Sequence, residues 1–217
     1  MMDFRTFTAT RALQAIVAMA LVVVASNILV QYPVSGKLGT IDLADLLTWG
    51  AFTYPAAFLV TDLTNRRFGP AAARKVVFVG FALAVALSIF LATPRIAIAS
   101  GSAFLFAHLL DILLFDRMRR MSWWKAPILS SATASVLDTA LFFGLAFSAA
   151  ATPLLGFGDD FATTSAPFLG VFALEVPRWL SWAAGDLTVK LIVAAALLLP
   201  YRLLLAYFGA SAHPGRA

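Results

Sequence analysis

Six ionisable side chains stand inside otherwise apolar stretches of this chain: Asp62, His108, Asp111, Asp138, Asp186 and Lys190. In a membrane helix each such group costs at least ~2.5–3.5 kcal/mol to place at the bilayer centre. They must therefore face a protein interior or a watery cavity, where carboxylates accept hydrogen bonds or carry protons. Helical spacing groups them. His108 and Asp111 are three apart; Ser131, Ser135 and Asp138 fall at i, i+4 and i+7; Trp179, Trp182, Asp186 and Lys190 share one face. Asn27 and Gln31 are four apart, and Phe58, Asp62 and Asn65 align, with Trp49 and Phe52 further along the same segment.

Each group also has a structural reading. Asp186 and Lys190 suit an i, i+4 ion pair as well as a ligand or coupling role. Asp62 precedes Arg66 and Arg67 and suits an interfacial salt bridge; Asp111 suits a pair with His108 or a nearby arginine. The serines and amides suit helix–helix hydrogen bonds, and the tryptophans an aromatic belt. Asp138 has no basic residue within a turn on its own helix. It is the carboxylate best placed by sequence to meet a ligand.

The elements that must carry these residues follow from composition. Of 217 residues, 61% are hydrophobic and 12% charged, and the mean hydropathy is +0.89. A soluble domain carries about twice that charge. Lipid must cover the surplus apolar surface, and each crossing takes roughly 20 apolar residues. The expected fold is an all-α integral membrane protein with six transmembrane helices, at about 12–31, 46–61, 75–93, 96–115, 127–147 and 179–199. The first follows Arg5 and Arg11 and is read as a retained helix rather than a signal peptide. The second is short and contains Gly50 and the Tyr54–Pro55 step, so it is expected to be broken or tilted. Residues 161–176 are apolar but interrupted by Pro167 and Gly170, an interfacial or re-entrant segment. Residues 1–11 form an N-terminal segment, 12–208 a single membrane domain and 209–217 a disordered tail.

Orientation follows from the distribution of basic residues. With the N-terminus inside, cytoplasmic segments hold Arg5, Arg11, Arg66, Arg67, Arg74, Lys75, Arg117, Arg119, Arg120, Lys125, Arg202 and Arg216, while the opposite side holds Lys37, Arg95 and Arg178. Both termini are then cytoplasmic, which requires an even number of spans. The basic groups cluster at helix ends, where they anchor to headgroups, so the net charge of +5 does not indicate nucleic acid.

Absent motifs narrow the chemistry. There is no phosphate-binding G-x-x-x-x-G-K-[ST] loop, no H-E-x-x-H and no G-x-S-x-G, and there are no cysteines. No cofactor and no metal are implied. A membrane enzyme would have to use His108 with Asp111, the only obvious acid–base pair, because His213 lies in the tail. A small, planar, mostly neutral solute suits the remaining inventory: aromatic faces stack on it while Asp, Asn and Gln pair with its edges.

Several stretches carry a family resemblance. These are ASNILVQYPV (Ala25 to Val34), the run from Thr48 to Phe78 with Thr61-Asp62-Leu63 and Arg67 to Gly69, and Arg95 to Arg120. Trp123 to Pro127, Ser135 to Phe147 and the last helix with Asp186, Lys190 and Pro200 follow in order. Together they resemble the bacterial queuosine-precursor transporters, also called the vitamin uptake transporter family. The resemblance implies import of 7-cyano-7-deazaguanine, and of its 7-aminomethyl form, across the bacterial inner membrane without an ATPase of the protein's own. A substrate-binding subunit of an energy-coupling-factor system is the alternative. On this reading Asp138 pairs with the guanine-like edge, Gln31 or Asn27 meets the carbonyl side, and Trp49, Phe52 or Trp182 stacks. Asp62, His108, Asp111, Asp186 and Lys190 are coupling or structural groups. The partners are the nucleobase-like solute and the bilayer, with self-association open.

Overall fold

A computed structural model describes residues 8–156 and 158–211. Arg5, His213 and Arg216 lie outside the described residues. The chain is mostly helical. Five helices are long and apolar enough to cross a membrane: α1 (Ala9–Leu29), α4 (Pro70–Leu91), α5 (Pro94–Met118), α6 (Lys125–Phe147) and the run Arg178–Tyr207. That last run comprises α9 (Arg178–Ala196) and most of α10 (Leu198–Ser211). The break between them follows from Pro200, which has no N–H for the carbonyl of Ala196 and crowds it. Helix α10 continues to Ser211, so the first residues of the expected tail are helical.

The expected second span is two helices, α2 (Gly50–Thr53) and α3 (Pro55–Phe68), separated at Tyr54. The helix begins later than the apolar run and ends seven residues beyond Thr61. Its polar second half, T-D-L-T-N-R-R, is held because α3 is surrounded by protein, packing on α1, α4, α5, α6 and α9. Gly69, at φ 87°, ends it in a conformation that favours glycine, and Pro70 starts α4 at once. Helix α5 starts the same way after Thr93, whose Oγ1 accepts from the Ile96 N–H.

The connections on the other end are short and irregular. Strands β1 (Lys37–Leu38) and β2 (Ile41–Asp42) form one antiparallel hairpin. After α6 come α7 (Thr152–Leu155) and α8 (Asp160–Thr163), then β3 (Ser165–Pro167) paired with β4 (Glu175–Pro177) in the register Ser165 to Pro177. The expected apolar segment 161–176 is thus the end of α8 followed by a hairpin laid on the start of α9, where the Leu169 N–H donates to Ser181 Oγ at 2.9 Å. Pro167 and Gly170 limit helix between the strands to a single 3-10 turn, Phe168–Gly170.

Polarity is inverted relative to a soluble protein. Leu13, Val17 and Leu21 of α1, Phe78 and Phe90 of α4, Phe106 and Leu113 of α5 and Ile192 of α9 are exposed. Asp62, His108, Asp111, Asp138 and Lys190 are all buried. An apolar rim around buried charge is what a lipid environment requires. The apolar core joins Met19 and Val23 of α1 to Val76, Val77 and Ala84 of α4 and Phe104 of α5. A Cβ on Gly80 would stand 2.7 Å from Met19 Cγ, so glycine permits this approach of α1 to α4.

Candidate functional site

A cavity of about 930 Å³ opens among α1, α2, α5, α6 and α9. Its rim is formed by Asp45 to Thr48, the α4–α5 turn at Leu91 to Thr93, and Phe161 with Arg178. Its polar centre is a single ammonium shared by two acids. Lys190 Nζ on α9 is 2.7 Å from Asp138 Oδ2 on α6 and 2.5 Å from Asp186 Oδ2 one turn back on its own helix. Thr139 Oγ1 donates to the same Asp186 oxygen at 2.9 Å. Tyr54, at the break between α2 and α3, donates its hydroxyl to Asp138 Oδ1 at 3.1 Å and presents its ring to Lys190 Nζ at 5.2 Å.

Two carboxylates and one ammonium leave the cluster one negative charge when all are ionised. A solute edge with two N–H donors suits such a surplus, because a carboxylate accepts paired hydrogen bonds. Asp138 is closed in, with its side chain 4% exposed and both oxygens engaged; Asp186 is the more open, at 15%. The expectation that Asp138 lacks a cation holds only along its own helix; α9 supplies one. The i, i+4 pair of Asp186 and Lys190 forms, but as one arm of a bridge to α6.

The cavity also brings in Asn27, Gln31 and Trp182. Asn27 donates to Val23 O at 2.9 Å and accepts from Ser88 Oγ at 3.5 Å, while Gln31 donates to Asn27 O. Trp182 sits in an aromatic wall: Phe147 meets it edge-on at 5.4 Å between centroids, and Phe161 lies at 6.2 Å. Phe142 and Phe143 continue that wall. Trp49 and Phe52, expected to stack on the solute, pack against each other at 5.5 Å and do not line the cavity. The reason is register: α2 starts at Gly50 and turns Tyr54, not Phe52, inward. Helical spacing does not single out Tyr54, Thr139 or the α6 phenylalanines. Only the Tyr54–Pro55 step hints at a residue held at a helix break.

His108 and Asp111 do not form an acid–base pair. The His108 ring lies between Phe104 (4.3 Å) and Phe58 (4.4 Å), with Nδ1 at 3.1 Å from Thr61 Oγ1. Because the Thr61 hydroxyl donates to Ala57 O, Nδ1 must carry the proton in this contact. Asp62 makes no salt bridge among the described residues. It accepts from Ser131 Oγ at 3.2 Å, and neighbouring Asn65 donates to Ile112 O at 3.1 Å. Arg66 instead donates to Arg119 O at 2.6 Å, Tyr201 OH at 3.0 Å and Trp123 O at 3.4 Å, tying α3, α10 and the α5–α6 turn together.

A ring of apolar helices around a charged, aromatic-walled cavity defines a multi-pass membrane transporter. The family described as "Putative vitamin uptake transporter" matches residues 48–93 and 86–205, and the chain belongs to it. The chain is 35% identical over 161 residues to the "Probable queuosine precursor transporter" of Haemophilus influenzae, covering 62% of this chain and 68% of that protein. It is 37% identical over 150 residues to the "Queuosine precursor transporter" of Escherichia coli K12, covering 58% and 64%. For the "Probable queuosine precursor transporter" of Bacillus subtilis the figures are 30% over 137 residues, 50% and 60%. The matched part thus spans under two thirds of the latter two. No solved structure matches the chain.

Proposed function

We propose that this protein imports a queuosine precursor, 7-cyano-7-deazaguanine and its 7-aminomethyl analogue, into the cytoplasm across the bacterial inner membrane. The observation that carries the reading is the Asp138–Lys190–Asp186 bridge at the centre of a cavity walled by Phe147, Phe161 and Trp182. The guanine-like edge of such a base offers an N–H and an exocyclic amine to one carboxylate, and its flat ring suits the aromatic wall. Asp186, the more open acid, takes this edge. Asp138 holds Lys190 and Tyr54 in place, and Asn27 and Gln31 face the carbonyl side. The names of the relatives support the solute class.

The broken helix α2–α3 counts as a sixth crossing in this reading. Both termini are then cytoplasmic, and the cavity rim at Asp45 to Thr48 faces outward. Transport proceeds by alternating access without a partner ATPase. Uptake of labelled base into vesicles containing only this protein tests this. Saturable uptake, reduced at least tenfold in Asp186→Asn, is expected. A requirement for an added ATPase would instead make the chain a subunit of an energy-coupling system, and uptake unchanged in both Asp186→Asn and Asp138→Asn would discard the site.

A further inference from the structure

A second pair of acids lies deeper than the cavity. Asp62 on α3 and Asp111 on α5 are 2% and 0% exposed. The Thr61–His108 and Asn65–Ile112 hydrogen bonds set the register that brings them together. Ser131 satisfies one oxygen of Asp62; its other oxygen and both oxygens of Asp111 have no hydrogen-bond partner among the described residues. Buried acceptors in this condition are rare and require a cause.

The surrounding cations make their hydrogen bonds and ion pairs elsewhere, and Arg66 acts on Asp62 only through space. On α5, His108 is held by Thr61 and the two phenylalanines. Helix α6 offers only the hydroxyls of Ser130 and Ser131, and α10 offers Tyr201. Arg66, one turn beyond Asp62, is bonded to Tyr201 and two carbonyls, and Arg119 to Asp116 and the carbonyls of Asn65 and Arg66. Arg74 and Lys75 of α4 are exposed, Arg11 of α1 lies toward Arg67, and Lys190 of α9 is shared by Asp138 and Asp186. Two like charges side by side away from water cannot both persist. A cavity of about 20 Å³ beside Asp62, Ser131 and Tyr201 has room for one water.

We propose that Asp62 and Asp111 form a shared proton site that couples solute movement to proton entry. A carboxylate oxygen of the pair gains the proton as an O–H bond when the cavity faces outward, and returns it to water on the cytoplasmic side. Position favours this role. Asp62 is eight residues, or about 12 Å, along α3 from Tyr54, which touches the substrate acids. It is one turn from Arg66, which closes the cytoplasmic end. The pair therefore sits between solute and seal on the one broken helix, where a change of charge bears on both.

The inference rests on the transporter reading, and two measurements separate them. In vesicles of purified protein with membrane potential clamped, a tenfold inward proton gradient should concentrate labelled 7-cyano-7-deazaguanine about tenfold for one proton per neutral solute. An equal sodium gradient should not. Asp111→Asn, and independently Asp62→Asn, should lower accumulation to about onefold while exchange of internal for external base continues. Accumulation unchanged in both variants, or driven by sodium alone, overturns the proposal. Absence of any base uptake by the unmodified protein would defeat the transporter reading instead. The infrared carbonyl band of a protonated carboxylic acid then decides the proton site. It should be present at neutral pH, lost in Asp111→Asn and retained in Asp116→Asn; its absence from the unmodified protein overturns the site.

Discussion

Lys190 on α9 reaches Asp138 on α6 at 2.7 Å, across 52 residues of sequence. This contact closes the helix that carries the last polar stripe onto the helix that carries the serine stripe. Both groups are buried, so each depends on the other: an isolated charge in such a place costs several kcal/mol. Asp186 completes the cluster on Lys190, and Tyr54 on Asp138.

Lys190→Met should therefore destabilise the protein by about 3–5 kcal/mol, because it leaves the buried Asp138, and the half-buried Asp186 beside it, without a cation. The double variant Lys190→Met/Asp138→Asn should recover part of that loss. Thermal unfolding in detergent of both single variants and the double reports this, and a double-variant loss equal to the sum of the two single losses would show that the residues are not energetically coupled.

Tyr54→Phe retains the ring over Lys190 and removes only the hydroxyl on Asp138. A hydrogen bond to a charged group is worth about 1.5–3 kcal/mol. The variant should fold with a lowered melting temperature and transport base with reduced apparent affinity. Unchanged behaviour in both assays would place Tyr54 outside the machinery.

The aromatic wall gives a paired test. Stacking of a base on an aromatic ring is worth about 1–3 kcal/mol on alanine substitution. Trp182→Ala should weaken base binding by roughly 5- to 150-fold, whereas Trp49→Ala, off the cavity, should leave it within about twofold. Equal losses would favour the stacking role expected for Trp49 from sequence.

Arg66→Met removes the donors to Arg119 O, Tyr201 OH and Trp123 O. Leaving those acceptors unpaired should cost on the order of 2–3 kcal/mol. The expected loss appears in thermal unfolding, and a melting temperature equal to that of the unmodified protein would contradict a sealing role.

The absence of cysteine makes topology directly measurable. A membrane-impermeant thiol reagent should label Thr40→Cys, in the β1–β2 hairpin, in cells with an intact inner membrane. Ser122→Cys, between α5 and α6, should react only after permeabilisation. The two positions lie on opposite sides only if an odd number of crossings separates them, so reaction of both from one side would refute the proposed topology.

Much of the site is legible in the amino-acid sequence. Asn27, Gln31, Asp138, Trp182, Asp186 and Lys190 stand in apolar runs at helical spacing, and all six line one cavity. Spacing along a helix reports which residues share a face, so the Asp186–Lys190 pair can be read directly. It says nothing about azimuth between helices. That is why Lys190 on Asp138, Thr61 on His108 and Ser131 on Asp62 emerge only from the fold.

The amino-acid pattern alone determined a lipid-embedded helical chain with acids turned inward, because water-free surroundings permit little else for such a composition. It also marked the Tyr54–Pro55 step as a weak point. Tertiary structure decided where α3 ends and which aromatics reach the cavity. It also separated the inward acids into two that share Lys190 and a pair that makes no salt bridge among the described residues. Those outcomes depend on how helices rotate and pack against one another, and packing is a relation between segments far apart in the chain.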